Sequence, residues 1–183
     1  MGEALRRGAA YVATLDGDGQ HRPEDLPRLV ALAAPDVIVI GSRRGAAGQP
    51  AARRRANRVA DFWISWAARH PVLDSQSGLR IYPAAALADL VRYQGRARGF
   101  SFESEILIDA SRRGITTVSA PIPALYDGTL RRPSHFRPVA DIARIVIMVA
   151  GKLLARGMDP AGLLRSLSSA EPPGKERRDA PSS

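Results

Sequence analysis

Asp36-Val37-Ile38-Val39-Ile40-Gly41-Ser42-Arg43-Arg44-Gly45 is the stretch that decides the fold. Asp36 to Ile40 reads as a continuous apolar run, which marks a strand buried on both faces. It passes at Gly41 into a polar, basic loop. On its C-terminal side, Ala51 to His70 reads as a helix with a basic start (Arg53, Arg54, Arg55, Arg58) and an apolar end (Phe62, Trp63, Ile64, Trp66), stopped by Pro71. On its N-terminal side, Pro23-Glu24-Asp25 opens a helix carrying Leu26, Leu29, Val30 and Leu32. Before that, Tyr11 to Leu15 reads as a short buried strand ended by two Asp-Gly steps at Asp16-Gly17-Asp18-Gly19. A short opening helix lies within residues 1–11.

The same alternation continues downstream. A polar turn at Asp74–Gly78 leads to a strand at Leu79–Tyr82, a helix at Pro83–Val91 and a basic loop at 92–99. Ser101–Arg113 is a helix, and Ile115–Ile122, ending among prolines, is an edge strand. A basic loop at Tyr126–Pro138 precedes an amphipathic helix at Val139–Arg156. Helix and strand alternate throughout, so the fold class is α/β. Functional sites of such folds lie beyond the carboxyl ends of the strands. The two most polar segments, Asp16–His21 and Gly41–Arg44, fall there. The organised domain is expected over 1–168, with a disordered basic, Pro- and Ser-containing tail over 169–183.

The 183 residues hold 27 Lys and Arg against 18 Asp and Glu, a net charge of +9, which favours anionic partners. Aromatics are only 5% and no nucleic-acid motif is present, so a nucleic-acid partner is not expected. No cysteine occurs, which excludes disulfides, zinc-thiolate sites and thiol catalysis. The N-terminus carries no apolar core of signal-peptide length. The longest apolar segment, Ile142–Leu154, contains Arg144 and Lys152 and is shorter than the ~18 residues of a spanning helix. A soluble or peripheral protein is expected. Within the amphipathic helix, Ile142, Ile145, Val146, Val149 and Leu153 share one stripe. That stripe either packs on the sheet or lies in a membrane interface.

Asp16 and Asp18, one residue apart at a strand end, can converge on one divalent cation because Gly17 lets the backbone bend. Mg²⁺ or Mn²⁺ suits oxygen ligands and shares its shell with substrate phosphates. Gln20 can add a neutral oxygen, and His21 is within reach. A plain turn with two solvated acids is the alternative. Among the arginines, helix periodicity puts Arg54 and Arg58 on one face and Arg53 with Asn57 on an adjacent one. Arginine is suited to bidentate phosphate contacts. For a catalytic base, Asp74 in its polar turn is the first candidate, followed by Glu103 and Glu105.

In combination these segments resemble family-2 glycosyltransferases, in particular the dolichyl- and polyprenyl-phosphate sugar synthases. The resemblance is carried by Thr14–His21 with Pro23–Pro27, Gly41-Ser42-Arg43, Arg53 with Asn57-Arg58, Asp74–Arg80, Phe102–Leu107, the Ile115–Pro123 strand, and Arg131-Arg132-Pro133-Ser134-His135-Phe136. It runs to about residue 145.

The resemblance implies a GT-A type, Rossmann-like mixed sheet flanked by helices. It implies transfer of a sugar from a nucleotide-sugar donor to an acceptor, a polyprenyl phosphate or other lipid. Asp16, Asp18 and Gln20 would hold Mg²⁺ or Mn²⁺ on the donor diphosphate. Arg43, Arg53 and Asn57 would bind phosphate groups, and Arg131, Arg132 and His135 would sit in a basic loop that closes over them. His135 stands where the branch usually has lysine. Family members carry about two further βαβ units before the Asp-x-Asp strand, so the chain is expected to be N-terminally truncated: a fragment, a mis-started gene product, or one piece of a split enzyme whose partner supplies the missing part. Work at the cytoplasmic, inner face of an anionic membrane is the implied location. A catalytically silent phosphate- or membrane-binding domain of the same fold is the alternative.

Overall fold

The computed structural model describes residues 1–17, 21–44, 51–87, 100–123 and 138–168. Four strands form one sheet: β1 (Tyr11–Thr14), β2 (Val37–Ser42), β3 (Arg80–Pro83) and β4 (Thr116–Pro121), in the order β1-β3-β2-β4. β2 and β4 run parallel, with Val37 opposite Thr116 and Ser42 opposite Pro121. β3 is antiparallel to both its neighbours, pairing Val12 with Tyr82 and Ile40 with Arg80. The expected mixed α/β sheet is therefore present. The proline-ended β4 lies at an edge, where a missing N–H costs no ladder bond.

Among the described residues six helices accompany the strands: α1 (Gly2–Arg6), α2 (Leu26–Val30), α3 (Ala51–Ala68), α4 (Phe100–Ser111), α5 (Pro138–Leu154) and α6 (Pro160–Leu167). Single 3-10 turns at Pro23–Asp25 and Ala84–Leu87 precede α2 and follow β3. The helix read from Pro83 onward is thus 3-10 through Leu87, and its remainder, with the 92–99 loop, lies outside the described residues. So do the 126–137 loop and the 169–183 tail. The short α6 has no counterpart in the sequence reading.

Alternation along β2 explains its apolar run. Ile38 and Ile40 join Val12, Tyr82, Ile64, Leu107 and Ile145 in the larger core, on the face covered by α3, α4 and α5. Val39 points to the other face, where Leu29, Leu79, Ile81 and Ile122 close a smaller core. The apolar stripe of α5 resolves in favour of packing: Ile142, Ile145, Val149 and Leu153 are all buried in the larger core. None of these four is available to a membrane. Among the described residues no helix is long and apolar enough to cross a membrane.

Candidate active site

The carboxyl ends of β1 and β2 meet the 74–79 turn that feeds β3, and the polar side chains gather there. Asp74 has a left-handed backbone (φ 58°), a conformation Asp tolerates better than most residues. Its carbonyl accepts the Ser77 amide at 2.9 Å, which closes the turn. Its buried carboxylate accepts the Arg43 amide at 2.6 Å, so the turn grips the residue that leaves β2. Ser77 Oγ donates to the Gly41 carbonyl at 2.6 Å, and Arg43 Nη2 donates to the Gln76 carbonyl at 3.4 Å.

From below, α3 holds the same turn through a polar stripe. Asp61 accepts the Ser75 amide at 2.7 Å and the Asp74 amide at 3.3 Å, and it pairs with the Arg44 guanidinium. Burial pushes the Asp61 carboxyl up from its ordinary value, against the hydrogen bonds from Ser75 and Arg44. Asn57 lies one helical turn earlier on the same face, buried, and its Oδ1 has no donor among the described residues. Arg53 lies one turn earlier again and is half-buried.

Arg80 is the hub of the turn, fully buried on the larger-core face of β3. Its guanidinium donates to the Ser75 carbonyl at 2.6 Å, the Ser77 carbonyl at 2.8 Å and Tyr82 Oη at 2.9 Å. Glu103, at the start of α4, balances its charge at 3.3 Å. These partners satisfy a cation whose burial would otherwise be costly.

Asp16 sits just past β1 with its carboxylate against Gly78, so close that a Cβ on Gly78 would overlap it. Thr14 Oγ1 donates to the Gly78 carbonyl at 2.9 Å and ties the strand end to that glycine. His21 Nε2 faces Asp16 Oδ2 at 3.5 Å. His21 holds the Asp16 carboxyl below the usual carboxylate range, against the opposing effect of burial, and the charges of Arg43 and Arg80 add to it. The His21 side chain is wholly buried, and neither ring nitrogen has a hydrogen-bond partner among the described residues.

Of the residues singled out from sequence, the structure thus brings Asp16, Arg43 and Asp74 to one turn and sets Asn57 and Arg53 on the helix beneath it. Asp18, Gln20, Arg131, Arg132 and His135 lie outside the described residues. Among the described residues no three carboxylate or histidine groups form a ready metal cluster. Asp16 nonetheless fits a hard cation, being a carboxylate oxygen donor at a strand end whose pKa is held low by the neighbouring His21. Sequence reasoning did not single out Arg80 or Asp61. The available signals were an arginine inside an otherwise apolar strand and an acid one turn beyond Asn57 on a basic helix.

The mixed four-stranded sheet with its flanking helices is an α/β fold of the GT-A type, and comparison with known proteins agrees. The chain is 32% identical over 130 residues to a UDP-N-acetylglucosamine–dolichyl-phosphate N-acetylglucosaminyltransferase of Methanococcus voltae, covering 68% of this chain and 51% of the relative. It is 29% identical over 122 residues to an undecaprenyl-phosphate mannosyltransferase of Micrococcus luteus, covering 64% and 50%. It is 28% identical over 123 residues to a polyprenol monophosphomannose synthase of Mycolicibacterium smegmatis, covering 64% and 46%. No family profile and no solved structure matches. The chain is a homologue of the family-2 type dolichyl- and polyprenyl-phosphate glycosyltransferases. It spans about half the length of these relatives.

Proposed function

We propose that this chain carries the acceptor-side and metal-holding part of a glycosyltransferase site, one that moves a sugar from a nucleotide-sugar donor to a polyprenyl phosphate. The observation that supports this most is the Asp16 carboxylate, seated against Gly78 and held low in pKa chiefly by His21, with the charges of the buried Arg43 and Arg80 adding to it. An acid beside arginines is what diphosphate chemistry requires: the acid for a cation, the arginines for phosphate oxygens. Asp16, with Asp18 and Gln20, would hold Mg²⁺ or Mn²⁺, which would neutralise charge developing on the donor diphosphate as the sugar departs.

Arg43 is the phosphate-facing residue this chain positions best. Asp74 fixes its amide and Gln76 its guanidinium, so its rotamer entropy is largely spent before ligand arrives. A lipid phosphate is already an anion and needs no strong base to attack. With that acceptor, the buried Asp74 serves to orient Arg43. Arg53 and Asn57 would extend the phosphate contacts along α3, and Arg131, Arg132 and His135 would close over them. The acceptor would reach the site from an anionic membrane surface. A segment supplying the remainder of the donor pocket would complete it.

Calorimetric titration of a nucleoside diphosphate with and without Mn²⁺ tests the site. Binding is expected to depend on Mn²⁺ and to weaken on the order of tenfold or more in Asp16→Ala and in Arg43→Lys. Equal affinity in Asp16→Ala overturns the metal assignment. A second reading is a domain of the same fold that binds phosphate without transferring sugar. Metal-dependent binding without transfer of labelled sugar to undecaprenyl phosphate would select it.

A further inference from the structure

A second concavity lies at the opposite end of the sheet, where α3 ends, β4 begins and α5 turns into α6. It is a cleft of about 610 Å³ lined by Arg69, Arg112, Arg156, Arg165, His70 and Asp159, among others. Four arginines face one carboxylate, and that carboxylate is already committed. Asp159 pairs with Arg69 Nε at 3.0 Å and accepts the Gly162 amide of α6 at 3.0 Å. Arg112 is drawn toward Asp109 at 3.4 Å. Arg165 has no ion-pair partner among the described residues. Nη2 of Arg156 is shut off from solvent and has no acceptor among them. A buried, charged N–H left without an acceptor is destabilising, and an anion in the cleft would satisfy it.

The backbone around the cleft is strained in a way that suits a binding site. Four non-glycine described residues have a left-handed backbone, and three of them are here: Arg69 (φ 62°), Met158 (φ 63°) and Asp159 (φ 26°). The fourth is Asp74, in the candidate active site. Such conformations persist only where surrounding contacts enforce them, and they concentrate at functional positions. Here Trp66 Nε1 donates to the Asp159 carbonyl at 3.1 Å, and the Arg69–Asp159 pair joins the two strained residues. His70 contributes no charge, because burial holds it below its ordinary value and both ring nitrogens are engaged, with the Ala68 carbonyl at 3.0 Å and Thr117 Oγ1 at 3.1 Å. The arginines therefore set the chemistry, and guanidinium forks bind phosphate and carboxylate oxyanions bidentately.

We propose that this cleft is a phosphate-ester binding site, separate from the one at the carboxyl ends of the strands, with Arg156 and Arg165 as its principal contacts and Arg69 and Arg112 at its edge. Its volume takes a phosphate with a small organic group attached. Two sources share that chemistry. One is a soluble phosphate ester. The other is a phospholipid headgroup, for which exposed Leu154 and Leu164, neighbours of the two arginines in sequence, would supply apolar contact.

The test follows amide chemical shifts of the ¹⁵N-labelled full chain during titration with inorganic phosphate, then with glycerol phosphate. Saturable movement of the Gly114 and Gly162 amides is expected, and it distinguishes this cleft from the other site, where Gly41 and Gly78 report. Arg156→Gln/Arg165→Gln should weaken the response about tenfold or more, since two charge-assisted contacts are lost. Arg28→Gln/Arg144→Gln, which removes the same charge elsewhere, should leave it unchanged. Co-sedimentation with phosphatidylglycerol and phosphatidylcholine vesicles forms the second arm. Binding to the former that needs Arg156 and Arg165 assigns the headgroup, and response to soluble esters alone assigns the free ligand. If the double variant does not fold, Arg165→Gln, on the exposed side of α6, makes the same comparison. Unmoved Gly114 and Gly162 amides, or equal weakening by the control pair, overturn the proposal.

Discussion

At Gly78 a methyl group would overlap the Asp16 carboxylate, and that one steric fact links a turn in the middle of the chain to the acid at its start. Gly78 has no need of a left-handed backbone; the requirement is space. Gly78→Ala should therefore displace Asp16 from the field of His21, Arg43 and Arg80 while leaving the sheet intact. Mn²⁺-dependent nucleoside diphosphate binding is expected to fall on the order of ten- to a hundredfold, as for loss of a group that orients a metal ligand. Urea unfolding in parallel should show a much smaller effect, and the reverse pattern would make Gly78 a folding residue only. Asp16 was legible in sequence because an acid closing a short apolar run has a local signature. Arg80 was not, because an arginine's burial depends on acceptors delivered from far along the chain. The carbonyls of Ser75 and Ser77, Tyr82 and Glu103 converge on it only once β3 and α4 are in place.

Among the elements, α5 shows how periodicity identifies a helix without identifying what its apolar face touches. Its stripe at Ile142, Ile145, Val149 and Leu153 suited both a core and a membrane interface, and packing against α3 and α4 decides for the core. Ile145→Asp would bury an unpaired carboxylate and should cost about 4 kcal/mol or more, enough to unfold a domain of ordinary stability. Ile147→Asp, on the exposed face at 71% exposure, should change stability by about 0.5 kcal/mol or less. Thermal melts of the two variants check the contrast, and similar destabilisation would place the helix the other way round. β2 was legible as far as Ile40 because both its faces are apolar there, whereas Gly41 and Ser42, read as loop, continue the strand beside β4. α6 was not legible, because eight residues are too few to show a helical period and Gly162 inside lowers helical preference, although Asp159-Pro160 is a start signal. That glycine is required by position: a Cβ there would meet the Asp159 carboxylate that caps the helix and the Arg69 side chain beside it.

For the whole molecule, α3 carries Asp61 in its body and leads into His70 just past its last residue, and these two buried titratable groups pull stability in opposite directions as pH falls. His70 is held below its ordinary value near 6.5 by burial. The unfolded chain therefore binds a proton there before the folded one does, and stability contributed by neutral His70 is lost as pH falls below about 6.5. Asp61 is raised by burial, so the folded chain takes up its proton first. Its ionised form weighs against folding at neutral pH, and that burden is relieved as pH falls through its raised folded value toward the ordinary carboxylate value near 3.8. Asp16 acts in the same direction as His70 but lower: its depressed carboxyl supports folding above the ordinary value and ceases to do so in strong acid. Unfolding free energies measured by urea titration between pH 7.5 and about 4.5 should separate the first two. His70→Gln is expected to flatten the loss of stability just below pH 6.5. Asp61→Asn, which keeps an acceptor oxygen but cannot ionise, should remove the compensating gain and leave a steeper net decline. The signs are opposite because one group is buried without a proton and the other is buried with a charge. A flattening by both variants, or a steepening by both, would show that neither carries the dependence assigned to it.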